Sequence, residues 1–334
     1  MKKISSNIDL SNLNSFGIKA KAKLFYAFDS EQSLKNLFLS HPEHTHSFRV
    51  LGGGGNILLT NEQDQLILHP VGTRIELLSD DIVYAQAGVD WDNLVLWCTE
   101  RGLWGLENLS LIPGTVGAAP VQNIGAYGSE VGDNILSVDV FIPEKGESLT
   151  LSNKECEFKY RDSIFKNSLK GKAIITGVNF KLSTQAKPKL DYSGLKNKVE
   201  EKGSPSQENI RESVIEIREA KLPDPKILGN AGSFFKNPLV DISQAKALLI
   251  KYKDLPYYPT NDPKKVKLAA GYLIEQAGFK GKRKGDVGVH ISQALVLVNY
   301  GKATGEEIMA FAGEIIEEIY RKFEVKIEME VNVW

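Results

Sequence analysis

The hydrophobic and polar positions of this chain change their period along its length. In the N-terminal part, short β-rich runs at residues 48–51 and 82–85 are separated by glycines and polar turns. Residues 91–100 instead place apolar side chains at i, i+3, i+4 and i+7, which predicts an amphipathic helix. Two more β-rich runs follow at residues 137–142 and 173–182. The N-terminal half is therefore predicted to be predominantly β.

Helical periodicity dominates the C-terminal part of the chain. Residues 210–221 carry a helical pattern that ends at Pro223 and Pro225, after a polar, linker-like stretch at residues 187–207. A second helical pattern at residues 267–276 is closed by a glycine. This change of pattern predicts that a new domain begins near Pro223.

The last helix and the segment after it have the clearest patterns. Thr304 and Glu307 have the spacing of a capping box, and an apolar stripe follows them. At residues 324–331 the period drops to two, because valine, isoleucine and methionine alternate with glutamate and lysine. This alternation predicts a strand with one buried face.

Composition and charge argue against several classes of protein. The 334 residues include 41 Lys+Arg and 42 Asp+Glu, so no net basic field favours nucleic acid as the main partner. No apolar run approaches the length of a membrane span, and the first ten residues lack the apolar core of a secretory signal. We therefore expect a cytoplasmic protein without a nucleic-acid or membrane partner. Cys98 and Cys156 form no CxxC pair and the histidines at residues 41–46 form a local cluster, so no metal site is predicted.

Two glycine-rich stretches are the best candidates for contact with a ligand. Residues 51–59 (LGGGGNILL) can expose backbone N–H groups to a phosphate, although the run matches neither the dinucleotide fingerprint nor the P-loop and a flexible hairpin fits equally well. In residues 113–128, four glycines and two prolines leave little side chain to pack. Because an elongated diphosphate needs two close backbone approaches, the pair favours a large nucleotide cofactor.

Three polar groups elsewhere have roles that the pattern leaves open. Arg161, next to a tyrosine and an aspartate, could stabilise negative charge on an oxygen or belong to a surface turn. Ser233 lies between small residues and two aromatics, where it could deliver a proton or simply begin a turn. Glu330 is on the polar face of the predicted last strand, and periodicity alone does not distinguish it from Glu328 or Glu324.

In this order, the motifs resemble those of the UDP-N-acetylenolpyruvoylglucosamine reductase family, in its longer class with a tyrosine loop. The likeness runs almost from end to end, and several motifs are too long for a chance match. The motifs are NSFGI at 14–18, LGGGGN at 51–56, GLENLSLIPGTVGAAPVQNIGAYG at 105–128, YRDSIFK at 160–166, LDYSGL at 190–195, KLPDPKILGNAGSFFKNP at 221–238 and EMEV at 328–331.

The resemblance implies an α+β fold with two kinds of domain. One is a two-part FAD-binding unit of the vanillyl-alcohol-oxidase (PCMH-type) kind, and the other is a smaller α+β substrate-binding domain. Residues 1–70, joined by residues 324–334, would form the first FAD-binding subdomain, residues 71–222 the second, and residues 223–323 the substrate-binding domain. The resemblance also implies a monomer.

The resemblance further implies which residues hold the cofactor. FAD would lie between the two glycine-rich stretches without a covalent bond, since neither stretch contains a histidine. The family usually has serine where Gly55 stands, so one hydroxyl contact to the pyrophosphate is missing or supplied by backbone. The residues expected to bind FAD are Gly52, Gly53, Gly54, Gly55, Asn56, Pro113, Gly114, Gly117, Ala118, Asn123, Gly125, Tyr127 and Arg218.

The reaction that the resemblance implies belongs to peptidoglycan precursor synthesis. NADPH would reduce FAD and leave, and UDP-N-acetylglucosamine enolpyruvate would then be reduced to UDP-N-acetylmuramate by hydride transfer to C3. Arg161 and Glu330 would stabilise the negative charge on the substrate, and Ser233 would protonate C2. The residues expected to contact substrate or nicotinamide are Tyr160, Tyr192, Lys221 and Asn237.

Two other functions are compatible with parts of the pattern. An alcohol oxidase on the same scaffold would use oxygen instead of NADPH and would not combine Arg161, Ser233 and Glu330. A nucleotide-binding module without activity would need none of these three residues. The presence of all three favours the reductase over both alternatives.

Overall fold

The chain divides into two compact units in a computed structural model that describes residues 3–192 and 194–334. Unit 1 comprises Met1–Ile8, Lys21–Gly54 and Gln63–Ala220, and unit 2 comprises Asp9–Ala20, Gly55–Glu62 and Lys221–Trp334. Unit 2 therefore takes two short N-terminal segments in addition to the C-terminal third of the chain. The division of the first 222 residues into two subdomains stays a prediction.

Helices and strands are interspersed along the described chain, as expected for an α+β protein. The α-helices are α1 (Glu31–Ser40), α2 (Trp91–Thr99), α3 (Leu195–Glu200), α4 (Gln207–Lys221), α5 (Ile242–Lys251), α6 (Ala270–Gln276) and α7 (Gly305–Phe323). The strands are β1 (Ser5–Asp9), β2 (Lys21–Phe28), β3 (Phe48–Val50), β4 (Ile57–Leu58), β5 (Gln63–Pro70), β6 (Ile75–Ser79), β7 (Ile82–Gln86), β8 (Gly125–Ala126), β9 (Ser129–Glu130), β10 (Ile135–Ile142), β11 (Glu147–Ser152), β12 (Ile174–Lys181), β13 (Gly229–Ser233), β14 (Leu239–Asp241), β15 (Tyr257–Pro259), β16 (Lys265–Leu268), β17 (Arg283–Lys284), β18 (Val287–Val289), β19 (Val296–Asn299) and β20 (Asn332–Val333).

Two larger sheets organise unit 1. The first has the order β1-β2-β5-β3, and β5 runs parallel to both β2 and β3. Parallel strands need a crossover connection, which α1 supplies between β2 and β3. The second sheet has the order β11-β10-β12-β7-β6 and is antiparallel throughout. The β-rich character predicted for the N-terminal half is confirmed.

Helix α2 packs on the antiparallel sheet through the face that the sequence predicts. Trp91, Leu94, Val95 and Cys98 are all buried, in the same core cluster as the inward side chains of β7, β10 and β12. Asp90 begins the helix by accepting a hydrogen bond from the N–H of Asn93, a common N-cap. The first residues of this helix lie next to the beginning of the second glycine-rich stretch.

The stretch at residues 187–207 is not the polar linker that its composition predicts. Leu195 and Val199 of α3 are fully buried and pack on Ile210 and Val214 of α4. Two apolar residues four positions apart are enough to dock a short helix, because they lie on the same helical face. The prediction was wrong because the polar composition of the stretch concealed this pair.

Unit 2 contains two antiparallel sheets and the longest helix. The sheets have the orders β13-β19-β18-β17 and β14-β16-β15. Helix α7 begins with the predicted capping box, in which Thr304 and Glu307 each accept from the other's backbone N–H. Its apolar stripe is buried, and no described helix is long and apolar enough to cross a membrane.

The helix predicted at residues 267–276 begins later, at Ala270. Residues 265–268 form β16, the central strand of the three-stranded sheet. Val266 and Leu268 are buried and the intervening Lys267 is only partly buried, which is the period of a strand. The helical window extended over these residues because their apolar positions also fit a helical spacing.

The final segment has the predicted alternation of burial only as far as residue 328, because Met329 and Glu330 are both partly buried, and it does not form the predicted strand. Val325, Ile327 and Val331 are buried, whereas Glu324, Lys326 and Glu328 are exposed. Within this fully described segment one isolated bridge forms before residue 331, and the regular strand is β20, which pairs in parallel with β4. Periodicity therefore predicted which face of residues 324–328 is buried, but it wrongly predicted a regular strand. An extended segment can be held in place by side-chain packing and by single backbone hydrogen bonds without pairing along its length.

Gly305, at the start of α7, tests how tightly unit 2 is packed. A Cβ added at Gly305 would overlap the backbone carbonyl of Leu59, so we expect Gly305→Ala to lower the free energy of unfolding by about 1–3 kcal/mol. Gly313, in the same helix, has open space at the Cβ position, so Gly313→Ala should raise this free energy by about 0.5–1 kcal/mol. Urea unfolding measures both changes, and equal effects of the two substitutions would contradict the packing described here.

Candidate active site

Within unit 1, Gly52 and Gly53 of the first glycine-rich stretch lie against the second stretch. A Cβ added at Gly53 would lie 2.9 Å from the Cα of Gly114, and one added at Gly52 would lie 2.5 Å from Oγ1 of Thr115. Gly54 and Gly114 also have φ values of +65° and +135°, which residues with a side chain rarely adopt. The glycines therefore allow the two backbones to approach each other with no side chain between them.

The second stretch is also tied to the segment that leads into α2. The N–H of Trp91 donates to the carbonyl of Gly114 at 3.1 Å, and the N–H of Gly117 donates to the carbonyl of Ala87 at 2.9 Å. A Cβ at Gly117 would lie 2.6 Å from the Cβ of Ala87, so this glycine is required for packing within unit 1. The predicted cofactor residues of this stretch that are exposed to solvent are Pro113 and Ala118.

Asn123 is a scaffold residue as well as a predicted cofactor residue. Its amide donates to Oε2 of Glu130 at 2.8 Å and to the carbonyl of Lys159 at 3.1 Å, and its Oδ1 accepts from the N–H of Gly132 at 2.8 Å. These bonds hold Asn123 at a φ of +45°. Its side chain thus joins the second stretch to Lys159, the residue before the YRDSIFK motif.

Arg161 joins several of the predicted site residues of unit 1. Its Nη2 donates to the carbonyl of Gly125 at 2.6 Å, and its guanidinium carbon lies 5.2 Å from the ring centre of Tyr160. Tyr127 meets Tyr192 edge to face, with ring centres 5.1 Å apart. Arg161 has a φ of +54° in a tight turn in which Lys159 and Asp162 exchange backbone hydrogen bonds. The structure therefore brings Arg161, Tyr160 and Gly125 together, and pairs Tyr127 with Tyr192.

Arg218 lies on the last turns of α4 in unit 1, where the residue is partly buried and its Nε is fully buried. Its Nε has no hydrogen-bond partner among the described residues, and burial lowers the pKa of its guanidinium. An unpaired N–H of a buried cation is costly, and contact with an anion would remove that cost. Together with the close glycine stretches, this donor means that the residues present fit a cofactor with a diphosphate.

Ser233 and Glu330 come together in unit 2. Ser233 is the last residue of β13, and the residue after it, Phe234, accepts a hydrogen bond from the N–H of Glu330 at 2.8 Å. Asn56 adds a second connection, because its amide donates to the carbonyl of Glu330 at 3.3 Å. Ser233 and Glu330 are both half-buried, and the backbone segments to which they belong are adjacent.

The structure separates the three glutamates that the sequence pattern left equivalent. Glu324 ends α7 in a left-handed conformation and is exposed. Glu328 has a side chain that is 78% exposed, 3.6 Å from the ammonium of Lys236. Glu330 alone among them is partly buried and lies beside the end of β13.

The remaining predicted residues of unit 2 have identifiable structural settings. Oδ1 of Asn237 accepts from the N–H of Ala270 at 3.0 Å, at the start of α6. Asn56 accepts from the backbone N–H of Asn332 at 3.1 Å, next to Gly55. Lys221 is the last residue of α4. Ser193, which belongs to the LDYSGL motif, lies outside the described residues.

Sequence reasoning missed three polar residues that shape the site in unit 1. Glu107 and Asn108 are buried within the GLENLSLIPG motif, where Glu107 accepts from the N–H of Gly105 at 2.7 Å and Asn108 donates to the carbonyl of Tyr127 at 2.8 Å. Asp92, in the first turn of α2, is the third. Polar residues inside an otherwise apolar motif were the signal available for Glu107 and Asn108.

No group of three or more His, Cys, Asp or Glu among the described residues is arranged to hold a metal ion. Cys98 and Cys156 are buried free thiols, and burial raises the pKa of each to about 12. Neither thiol is therefore set up as a nucleophile at neutral pH.

Similarity to known proteins extends over nearly the whole chain. A model of the FAD binding domain matches residues 22–152, and a model of the C-terminal domain of UDP-N-acetylenolpyruvoylglucosamine reductase matches residues 224–334. The UDP-N-acetylenolpyruvoylglucosamine reductase of Flavobacterium johnsoniae is 47% identical and covers 99% of each chain. The chain belongs to this reductase family. The reductase of Chromobacterium violaceum is 46% identical over 97% of each chain.

A solved structure supports the fold. UDP-N-acetylenolpyruvylglucosamine reductase from Thermus caldophilus matches 100% of both chains with a TM-score of 0.71, at 23% sequence identity. The expected α+β fold, with an FAD-binding domain of the PCMH type and a smaller C-terminal α+β domain, is confirmed. As a member of this reductase family with an FAD-binding domain, the chain is a flavin-dependent oxidoreductase.

Glu107 gives unit 1 a pH dependence that can be measured. Burial raises the pKa of its carboxyl above the ordinary value of 4.5, so the stability that it contributes at low pH is lost as the pH rises through that raised pKa. Glu107→Gln keeps an oxygen that can accept from Gly105 and cannot ionise. We expect the free energy of unfolding of this variant to decline less than that of the wild type as the pH rises above 4.5. Urea unfolding at a series of pH values above 4.5 measures this difference. If the free energies of unfolding of the variant and the wild type fall in parallel as the pH rises, Glu107 is not the cause of the pH dependence.

Proposed function

We propose that this chain reduces UDP-N-acetylglucosamine enolpyruvate to UDP-N-acetylmuramate, with NADPH as the electron donor and FAD as the carrier. The observation that carries the proposal is the near full-length identity with relatives named for the reduction of the enolpyruvyl nucleotide. Both nucleotides are highly charged and do not cross a membrane unaided, which favours a reaction in the cytoplasm. We further propose that the protein acts there as a monomer.

The two glycine-rich stretches are proposed to hold the cofactor diphosphate. Gly52, Gly53 and Gly54 present one backbone, and Gly114 with its neighbours presents the other, so that N–H groups rather than side chains meet the phosphates. The buried guanidinium of Arg218 supplies positive charge to the same group. FAD, when bound, supplies the hydride that is added to the substrate.

Arg161 and Glu330 are proposed to stabilise negative charge on the substrate. Addition of a hydride to C3 of an enol ether conjugated to a carboxylate pushes electrons into that carboxylate. The guanidinium of Arg161 is permanently charged and is oriented by its bond to Gly125, so it can stabilise this charge without reorganisation. Glu330 would act in a protonated or hydrogen-bonded form, because a bare carboxylate would repel the developing charge.

Ser233 is proposed to protonate C2 and so to determine the configuration of the new lactyl centre. Ser233 is the last residue of β13, and the backbone of the next residue, Phe234, is bonded to Glu330, so Ser233 is held on a strand rather than a loose loop. A fixed hydroxyl delivers a proton to one face of a planar carbon. Further contacts to substrate or nicotinamide are proposed for Tyr160, Tyr192, Lys221 and Asn237.

The proposed function as a whole is tested by the visible spectrum of the purified protein. Anaerobic NADPH should bleach the flavin, and addition of UDP-N-acetylglucosamine enolpyruvate should restore the oxidised spectrum. A flavin that is bleached but recovers only with oxygen would favour an oxidase instead.

The proposed cofactor site predicts the effect of one added methyl group. Gly53→Ala places a Cβ 2.9 Å from the Cα of Gly114 and forces the two stretches apart, so we expect FAD affinity to fall about tenfold or more. Titration of the flavin-free protein with FAD, followed by flavin fluorescence, measures the dissociation constant. Gly313→Ala, which adds the same methyl group in open space, is the control and should bind FAD normally. Equal affinities for the two variants would argue against this site.

The proposed proton donor predicts a variant that separates the two half-reactions. In Ser233→Ala we expect NADPH to reduce the flavin at the normal rate, because no proton is delivered to a carbon in that step. Oxidation by the enolpyruvyl nucleotide should be slower by about 100-fold or more. Anaerobic stopped-flow absorbance follows each step separately. Ser292→Ala, at an exposed serine of unit 2, is the control, and a Ser233 variant as fast as this control in both steps would eliminate Ser233 as the donor.

A further inference from the structure

One carboxylate in unit 1 is bonded to two segments that are distant in sequence. Oδ1 of Asp92 accepts a hydrogen bond from the backbone N–H of Leu111 at 2.6 Å. The two oxygens of Asp92 also accept from both terminal nitrogens of Arg211, at 2.6 and 2.7 Å. The side chains of Arg211 and Asp92 are only 12% and 24% exposed, so solvent screens this bidentate pair weakly.

The hydrogen bond from Leu111 holds a strained backbone. Leu111 has a φ of +58°, a left-handed conformation that costs a residue with a side chain about 1–2 kcal/mol. Such a conformation persists only where its surroundings enforce it. Leu111 stands two residues before Pro113, where the second glycine-rich stretch begins. The bond to Asp92 therefore determines the direction in which that stretch leaves the core.

The ion pair with Arg211 acts on the other side of the same site. Arg211 and Arg218 are seven positions apart on α4, about two helical turns, so they lie on the same face of the helix. Fixing Arg211 to Asp92 thus fixes the rotation of the face that carries Arg218. Burial alone would raise the pKa of Asp92, but the hydrogen bonds from Arg211 and Leu111 outweigh burial and hold its pKa below the ordinary value. The carboxylate is therefore charged at neutral pH.

We propose that Asp92 and Arg211 are positioning residues for the flavin cofactor: they hold the start of the second glycine-rich stretch and the Arg218 face of α4 in a fixed mutual geometry before the cofactor binds. Neither residue needs to touch the cofactor. The inference rests on the cofactor-binding role proposed above for the two stretches and Arg218.

The test compares affinity for FAD with stability of the flavin-free protein. Asp92→Ala alone would leave a nearly buried guanidinium without a counter-charge, so the main variant is the double substitution Asp92→Ala with Arg211→Met. We expect it to bind FAD about tenfold or more weakly, as measured by flavin fluorescence. Arg211→Lys is a milder second variant that keeps the charge but loses the bidentate geometry, and its affinity should fall by a smaller factor. It keeps the proposal testable if the double variant does not fold.

A rescue experiment tests whether Asp92 and Arg211 affect FAD affinity through the backbone conformation of Leu111. Asparagine adopts the left-handed conformation more readily than leucine, so adding Leu111→Asn to the double variant should recover about fivefold in FAD affinity. Recovery of thermal stability without recovery of affinity would point to a structural role alone. Loss of stability with unchanged affinity in the double variant would overturn the proposal.

A matched control comes from the same helix. Glu216 of α4 forms an ion pair of 2.6 Å with Lys202, and within the described part of the chain no bond joins it to the second glycine-rich stretch. Glu216→Gln should leave FAD affinity unchanged, and a loss as large as that of the double variant would mean that any weakening of α4 suffices. Gly53→Ala keeps the two proposals apart. If it also binds FAD normally, the proposed cofactor site has failed, whereas a loss in Gly53→Ala with normal affinity in the double variant overturns only the role of Asp92 and Arg211.

Discussion

The approach of two backbones at Gly53 and Gly114 is the constraint on which the arrangement of unit 1 depends. No side chain fits between them, since a Cβ at Gly53 would lie 2.9 Å from the Cα of Gly114. The neighbouring structure serves this contact: Trp91 holds Gly114 from the start of α2, and Asp92 holds Leu111. The proposed diphosphate site thus depends on the absence of side chains at these glycines and on the hydrogen bonds that Trp91 and Asp92 make at the start of α2.

Much of the fold could be predicted because burial imposes a period on the sequence. Helix α2 and the capping box of α7 follow directly from such periods and from local hydrogen-bonding chemistry. Where the prediction was wrong, two signals overlapped. Residues 265–268 alternate as a strand but also continue a helical pattern, and only pairing with β14 and β15 decides between them. In α3, two buried residues were outweighed by their polar neighbours.

The candidate site was predictable in its motifs and not in its geometry. Glycine marks positions that need a positive φ, but Asn123, Tyr127 and Arg161 adopt positive φ values of 45°, 48° and 54° with side chains in place. For Tyr127 and Arg161 nothing in the residue type announces this, whereas asparagine adopts positive φ values more readily. Glu330 is a similar case: periodicity gives its face, and only the backbone bond to Phe234 shows which glutamate adjoins Ser233.

The polar groups buried in unit 1 explain why such loops can bind a cofactor at a modest cost. A loop that is ordered only on binding loses conformational entropy at that moment, which reduces affinity. Here Asn108 and Asn123 hold the second stretch in place through hydrogen bonds to backbone carbonyls. Glu107 accepts a hydrogen bond from Gly105 at the start of the GLENLSLIPG motif. Those bonds form within the chain, so the conformational entropy of these loops is lost when the protein folds and not when the cofactor binds. The Nε of Arg218 remains without a partner in the described chain, so contact with an anion would satisfy it.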